Sequence, residues 1–335
     1  MTTSAAHPTA QQPTPHPGAA PPAKAKPDPR YLALRNFAIS ISVFNIFGYT
    51  LLGFEQPWLW PILAVLCGYT TELTLEMISA WAYKRAPRFR GRGVRGVYEF
   101  LLPAHITSLA VSMLTYGNDL FLPILFGVVV GVGGKHVFQA PIAGRMRHYM
   151  NPSNFGITVS LLCFGTWFSI APPYQFTEHA NNFFRVAIPL IIATAGTVIN
   201  ALLTKRVALI VGWLGGFAIQ GVIRHFVWDV AVYSAVGVMS GVAFVLFTNY
   251  MISDPGTTPT KARNQFMFGA SVAMVYGVLM VFNVVYTLFF AVTIVCGLRG
   301  AGWWVAHLIK RRREQAAAQT PAATGAATVS EAVAA

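Results

Sequence analysis

Apolar runs of about twenty residues alternate with short polar segments along most of the chain. At roughly 1.5 Å of rise per helical residue, each run is long enough to cross about 30 Å of membrane hydrocarbon. The short alternating segments of a transmembrane β-barrel are absent from the pattern. We therefore predict an all-α, polytopic membrane helix bundle of about ten transmembrane helices. The predicted spans are about 33–54, 58–83, 97–117, 119–137, 153–171, 184–204, 207–225, 229–252, 264–281 and 283–299.

Positive charges set the predicted orientation, because membrane proteins concentrate Lys and Arg in cytoplasmic loops. With ten spans and both termini cytoplasmic, all but Arg185 and Arg224 of the 24 Lys and Arg residues fall on the cytoplasmic side. Merging the last two spans would move the basic run at 310–313 outside, so Asn283 is predicted to mark a turn. The net charge of +13 is interpreted as a topology signal that also favours acidic lipid headgroups, not nucleic acid.

Composition agrees with a multi-pass protein of the cell membrane, since 55% of residues are hydrophobic and 10% are charged. Residues 1–30 are proline-rich and are predicted to form a disordered cytoplasmic tail. The transmembrane domain is predicted at 31–300, followed by a basic and then alanine-rich cytoplasmic tail at 301–335. No His, Cys and carboxylate cluster has metal-ligand spacing, so no metal site is predicted. The glycines of GVGG at 131–134 are interpreted as points of close helix approach.

Ionisable residues inside predicted spans are costly unless paired, so each is a candidate functional residue. Glu72 and Glu76 lie four residues apart on one face of the second span. Glu99 begins the third span, and His105 lies near its middle. Two interpretations stay open: a structural role, with the carboxylates held by the arginines of residues 85–95, or a proton or cation path through Glu72, Glu76 and His105.

Two polar turns interrupt the apolar pattern on the predicted cytoplasmic side. Corner 1 comprises residues 135–156 and contains NPSNFG, and corner 2 is MISDPGTTPT at 251–260. Asn151-Pro152 and Asp254-Pro255 each fit a helix cap followed by proline at the first helical position. Plain capping would explain either turn, but helix N-termini also suit anionic or polar ligands, and two on one face favour a shared site. The candidate ligand-binding residues are Lys135, His136, Asn151, Ser153, Asn154, Phe155, Asp254, Thr257, Thr258 and Thr260.

These motifs resemble those of a known family. DPGTTPT looks like the Asp-Pro-x-Thr-Ser/Thr-Pro signature of the RnfD/NqrB membrane flavoprotein subunits, and KHVF…NPSNFG is similar to their earlier Asn-Pro motif. The motif spacing and the ten spans match as well, so the resemblance covers roughly residues 31–300. LLPAHITSLAVSML, APPYQFTE and DPGTTPT look more narrowly like the stand-alone family members of enediyne antibiotic gene clusters.

The resemblance implies a ten-helix bundle of two related halves that holds flavin near the membrane surface. Respiratory members pass electrons between flavins and attach FMN to the threonine of a Ser-Gly-Ala-Thr motif on an outer loop. This sequence lacks that motif, and its outer loop 172–185 offers only Thr177, so covalent FMN is not expected. The resemblance leaves a non-covalent flavin, riboflavin or FMN, with Phe155 stacking on it and polar contacts from Asn151, Asn154, Asp254 and Thr257.

Three functions remain open at the level of sequence. The first is a redox membrane protein that carries electrons through bound flavin, with redox or biosynthetic partner proteins, in enediyne biosynthesis. The second is a transporter or exporter of a small polar molecule or natural product. The third is a membrane scaffold that anchors biosynthetic enzymes. No hydrolase signature is present, so no catalytic residue is assigned.

Overall fold

The computed structural model describes residues 29–142 and 144–319. The proline-rich and alanine-rich tails predicted at the two termini lie outside these residues, apart from their inner ends. The described helices are α1 Pro29–Phe47, α2 Leu59–Ala82, α3 Gly93–Leu114, α4 Leu122–Val137, α5 Pro152–Phe164, α6 Asn182–Val198, α7 Val207–Trp228, α8 Val232–Gly237, α9 Val242–Leu246, α10 Ala262–Val281 and α11 Thr287–Gln319.

Short elements complete the helices. Wider π-helical turns extend α1, α6 and α9, over Gly48–Leu52, Ile199–Thr204 and Phe247–Met251. Strands β1 (Thr115–Tyr116) and β4 (Ser169–Ile170) pair antiparallel and tie the end of α3 to the segment after α5. Strands β2 (Gln139–Ile142) and β3 (Arg145–His148) form a hairpin between α4 and α5, in the register Gln139↔His148 to Ile142↔Arg145.

The long helices confirm the predicted class, a polytopic bundle of membrane helices. In the part of the chain that the structure describes, seven helices are long and apolar enough to cross a membrane, and counting the bent pair of α8 and α9 as one span gives up to eight. The apolar helices α4 and α5 are shorter, with 16 and 13 residues. Each of the ten predicted spans therefore has a helical counterpart, although not all of these counterparts are long enough to span alone.

Three predicted boundaries were wrong. The fifth span ends at Phe164 instead of 171, because Gly165 follows and the chain turns into β4. The eighth breaks at Gly241, whose backbone is extended (φ −75°, ψ 145°), and its two parts are bent by 66°. The tenth begins after left-handed Asn283 and Tyr286, which confirms the turn there. It continues to Gln319 through part of the predicted tail, because Ala, Gln, Glu, Lys and Arg favour helix.

Contacts gather the basic segments at one end of the bundle. Arg95, at the start of α3, lies over the ring of Tyr31 in the first turn of α1. Trp304 Nε1 of α11 donates a 2.9 Å hydrogen bond to the carbonyl of Gln139 in the hairpin. Glu72, in the second half of α2, pairs with Lys135 near the end of α4. We call this end the basic face; the first turn of α1 and the exit of α11 both lie there, as the predicted topology requires.

The packing order of the helices repeats along the chain. α1 packs on α3 as α6 packs on α9, and α2 packs on α4 as α7 packs on α10. α4 and α5 then pack together as α10 and α11 do. Counting the broken α8–α9 pair as one, each half of the described chain holds five helical segments.

Glycines bring α4 and α5 into direct backbone contact beside corner 1. A Cβ on Gly131 would lie 2.6 Å from the carbonyl oxygen of Pro152, and one on Gly156 would overlap the carbonyl of Gly127. Gly134 faces the ring of Phe155. The interpretation of the GVGG glycines is thus confirmed at Gly131 and Gly134, and the contact fixes where α5 begins.

Candidate functional site

The two corners meet in the folded chain. Asn151 Nδ2 donates a 2.9 Å hydrogen bond to the carbonyl of Met251, joining the start of α5 to the end of the π-helical turn after α9. Asn151 Oδ1 accepts from the backbone N–H of Asn154 at 3.0 Å, which confirms the predicted helix cap. Ser153 Oγ donates to the same oxygen at 3.1 Å. One side chain therefore caps α5 and ties the corners together.

Asp254 does not cap a helix, contrary to the prediction from Asp-Pro. Its Oδ1 accepts from the N–H of Gly256 at 3.0 Å, and its Oδ2 accepts from Thr257 Oγ1 at 2.8 Å. α10 begins only at Ala262. An Asp carboxylate can close a local turn by accepting from the backbone N–H two residues later, and Asp254 does so with Gly256. Corner 2 is therefore a turn held by its own side chains, and only corner 1 offers a helix N-terminus.

Two arginines that were not among the candidates from sequence donate hydrogen bonds to backbone carbonyls of corner 2. Arg299 Nη1 of α11 donates to the carbonyl of Thr257 at 2.9 Å, and its guanidinium lies 4.8 Å from the ring centre of Phe268 and 4.7 Å from that of Trp303. Arg206 Nη2, at the start of α7, donates to the carbonyl of Pro255 at 3.3 Å. Arg299 could have been recognised in the sequence, because it lies at the end of a predicted apolar span, where a cation needs a hydrogen-bonding partner.

Asn154 lies deep in the bundle. Its Nδ2 donates to the carbonyl of Phe289 and to Thr293 Oγ1, at 2.9 and 2.8 Å, while its Oδ1 is buried without a partner. Thr293, the partner of Asn154, and Trp304, which contacts the hairpin, are 11 residues apart on α11. At about 1.5 Å per residue, Asn154 therefore lies roughly 16 Å deeper in the bundle than the contact between Trp304 and the hairpin. Corner 1 thus reaches from the surface into the protein interior.

The remaining candidates of corner 1 are distributed around α4. Lys135 Nζ forms a 2.6 Å ion pair with Glu72, and the two side chains are only 11% and 8% exposed. His136 is half-buried in the last turn of the same helix. The ring of Phe155 packs edge-on against Phe138, with 4.8 Å between the ring centres. Lys135 is therefore already engaged with a buried carboxylate.

The threonines of corner 2 differ in exposure. Thr257 and Thr258 are buried, and Thr258 Oγ1 donates to the carbonyl of Asp254. Thr260 is exposed. Thr260 is the one of the three hydroxyls that faces outward, and the other two serve the turn.

Glu76 of α2, which is buried, and Glu99 of α3, which is partly exposed, are paired with arginines, as the structural interpretation predicts. Glu76 has no exposed side-chain surface and accepts from Arg85 at 2.5 Å and from Arg88, whose ion-pair distance is 2.8 Å. Glu99 pairs with Arg95 at 2.9 Å. These bonds lie where α2 leaves the apolar layer and α3 enters it. They anchor the arginine-rich loop between the two helices.

His105 belongs to a separate group of polar side chains. Its two ring nitrogens lie 2.8 Å from Ser42 Oγ and 2.9 Å from Tyr69 Oη. Among the described residues, no hydrogen bond links this group to Glu72 or Glu76. The structure therefore brings the two glutamates and the histidine to neighbouring helices without joining them in one chain of hydrogen bonds.

A small cavity between α1, α3 and α9 reaches the corners at its edge. This cavity, which reaches Ser153 and Met251, has a volume of about 40 Å³, which is room for a few water molecules. Within the residues that the structure describes, no group of three His, Cys, Asp or Glu side chains could hold a metal ion. A ligand at the corners would have to use their outer side.

His148 lies at that outer side and was not among the candidates from sequence. A Cβ on Gly256 would lie 3.2 Å from His148 Nε2, so the ring covers corner 2 at its turn. Burial lowers the pKa of His148, and the charge of Asp254 partly opposes this shift. Lys135 and Arg147 add to the lowering, while Glu72 opposes it. The side chain therefore favours its neutral form in the folded protein.

Acidification should weaken the corners through His148. Because the pKa in the folded state is below that of an unfolded histidine, about 6.5, the neutral ring contributes stability above that pH. This contribution is lost as the pH falls towards the folded pKa. We expect melting temperatures in detergent to fall more steeply between about pH 7.5 and 5.5 for the wild type than for His148→Gln. Parallel curves for the two proteins would contradict this role.

These observations define a class of protein: a multi-pass helical membrane protein with two polar corners tied together on its basic face. No model of a protein family matches the chain, and no curated protein matches it.

Proposed function

We propose that the chain is a redox membrane protein that holds a non-covalent flavin, riboflavin or FMN, beside the joined corners. One observation carries the proposal. The Asn-Pro and Asp-Pro motifs, which both resemble flavoprotein motifs, lie 103 residues apart in the sequence, and the Asn151–Met251 hydrogen bond nevertheless ties their two corners together. A site shared by both motifs requires this proximity.

The donors and acceptors at the corners suit the edge of a flavin ring, which carries several acceptors and one N–H donor. Arg147 and Thr260 are exposed donors, and His148 is partly buried next to the small residue Gly256. The cavity that reaches Ser153 and Met251 has only about 40 Å³, far below the volume of ligand pockets, so the flavin would bind on the exposed side of the corners.

A bound flavin would supply electron transfer at this position. The chain's own residues would bind and orient it: Phe155 and Phe138 present an aromatic wall, and Arg147 with the other cations of the basic face would stabilise negative charge on the ring or on a phosphate. The Asp254 turn, held by Arg299 and Arg206, would keep the polar edge rigid.

The wider setting follows from the resemblance and belongs to the same proposal. The chain would lie in the cell membrane with its basic face in the cytoplasm, where redox or biosynthetic partner proteins would reach the corners. The similarity to stand-alone members of enediyne clusters assigns it to the maturation of such a natural product. The absence of a Ser-Gly-Ala-Thr tetrapeptide is the reason to propose non-covalent binding.

Released flavin tests the proposal. The full chain would be purified in mild detergent from flavin-replete cells and denatured, and the supernatant analysed by fluorescence and chromatography. We expect the wild type to release flavin and Asp254→Ala to release at most a tenth as much, because the turn loses both acceptors. Asp254→Asn should retain more, since its amide oxygen can still accept from Gly256.

The matched control is Asp119→Ala, in an exposed loop at the other end of α3. It should keep full flavin content. A colourless wild-type protein would contradict the proposal, and equal flavin in Asp254→Ala and the wild type would reduce corner 2 to a structural turn.

A second candidate function is transport of a small polar molecule or natural product. The observation that favours it is the span broken at Gly241, whose two parts are bent by 66°. Transporters place binding sites at such broken helices. A stably folded but flavin-free wild-type protein would favour this function over the first.

A further inference from the structure

A cavity separate from the corners lies between α1, α2 and α3. Its volume is about 460 Å³, within the range of small-molecule pockets. Ile46 and Trp58, which line it, are 61% and 69% exposed on the outside of the bundle. Both lie on membrane helices or at their ends, so the cavity opens sideways towards lipid. A ligand would enter it from the membrane.

The lining is mostly apolar. Its polar residues are Ser42, Asn45, Tyr49, Thr50 and His105. His105 is bonded on both ring nitrogens, to the hydroxyls of Ser42 and Tyr69. Among the described residues that line the cavity, none is Asp, Glu, Lys or Arg. An ionic ligand would have no counter-charge there, so the cavity suits an uncharged one.

Asn45 has a buried side-chain acceptor that lacks a hydrogen-bond partner. Its side chain is 4% exposed, and its Nδ2 donates to the carbonyl of Ile41 at 2.9 Å and towards the sulfur of Met113 at 3.7 Å. Its Oδ1 is buried and has no hydrogen-bond partner. An unpaired buried acceptor is costly in a protein interior, and a hydroxyl or N–H group supplied by a ligand would remove that cost.

We propose that this cavity binds an uncharged, lipid-soluble molecule that bears a hydroxyl group, such as an alkylphenol or a long-chain alcohol. The apolar walls hold its body, and Asn45 accepts a hydrogen bond from its hydroxyl. The inference is independent of the flavin proposal, because the site and its test involve neither corner.

Binding of a matched probe pair tests the site. The probes are tritiated 4-hexylphenol and 4-hexylanisole; the ether carries a methyl group in place of the hydroxyl hydrogen and cannot donate a hydrogen bond. The full chain would be placed in phosphatidylcholine nanodiscs, with empty nanodiscs as the background. We expect saturable binding of one 4-hexylphenol per chain, about fivefold weaker in Asn45→Leu. We expect 4-hexylanisole to bind the wild type and Asn45→Leu with the same weak affinity.

A second variant keeps the test decisive if Asn45→Leu does not fold. Ile46→Trp fills the cavity mouth and should abolish binding, whereas Ile39→Trp, on an exposed part of α1 outside the cavity, should leave it unchanged. Uptake equal to that of empty nanodiscs would overturn the proposal, as would binding insensitive to Ile46→Trp. Equal affinities for the two probes would do the same, since the cavity would then only hold lipid chains.

Discussion

Gly156→Ala should destabilise the protein by about 3 kcal/mol, at the upper end of the range for overpacked cores. The added Cβ would overlap the carbonyl oxygen of Gly127 and lie 3.2 Å from the Cα of Gly131. These are backbone atoms of α4, so no side-chain rotation can relieve the overlap and the two helices must separate. Unfolding in mixed micelles with rising SDS would give the free-energy difference.

The matched control is Gly133→Ala, in the same pair of helices. A Cβ at Gly133 would meet no atom within 4 Å, and alanine favours helix over glycine by up to about 1 kcal/mol. This variant should therefore be as stable as the wild type or slightly more so. Equal stabilities of the two alanine variants would mean that α4 and α5 do not touch as described.

The helices could be predicted well because hydropathy and charge act over whole spans. Ten apolar runs were predicted, and ten helical segments follow them. The errors occur where local structure decides: α5 ends at Phe164 before the turn towards β4, and Gly241 breaks the eighth span into extended backbone. Hydropathy averaged over a whole span is hardly changed by one glycine, so the break is not predicted. The continuation of α11 from residue 299 to Gln319 was not predicted, because this part of the helix is polar and hydropathy does not detect it.

The candidate site could be predicted only in part. Asn151 was predicted as a helix cap and is one. A cap could be predicted because it depends only on the residues that directly follow it in the sequence. Asp254 in Asp-Pro has the same local form, yet it makes a turn whose carbonyls Arg206 and Arg299 hold. The partner of Lys135 lies 63 residues earlier in the chain, and such a pairing leaves no trace in a single sequence.

Lys135→Met should lower the free energy of unfolding by about 3 kcal/mol, because it leaves Glu72 buried without its cation. The control is Lys310→Met, which removes a 3.7 Å pair with Glu314 whose side chains are 75% and 62% exposed. Such exposed pairs contribute at most about 1 kcal/mol, so this variant should resemble the wild type. SDS titration in mixed micelles would measure both.

The double variant Glu72→Leu/Lys135→Met separates the two roles assigned to Lys135. Replacing both charges with apolar groups removes the unpaired carboxylate, so we expect stability to return to within about 1 kcal/mol of the wild type. If Lys135 serves only Glu72, the restored protein should also carry as much flavin as the wild type. A stable double variant without flavin would instead make Lys135 a ligand of the cofactor, with the ion pair holding it in place. A double variant as unstable as Lys135→Met would contradict the buried pair itself.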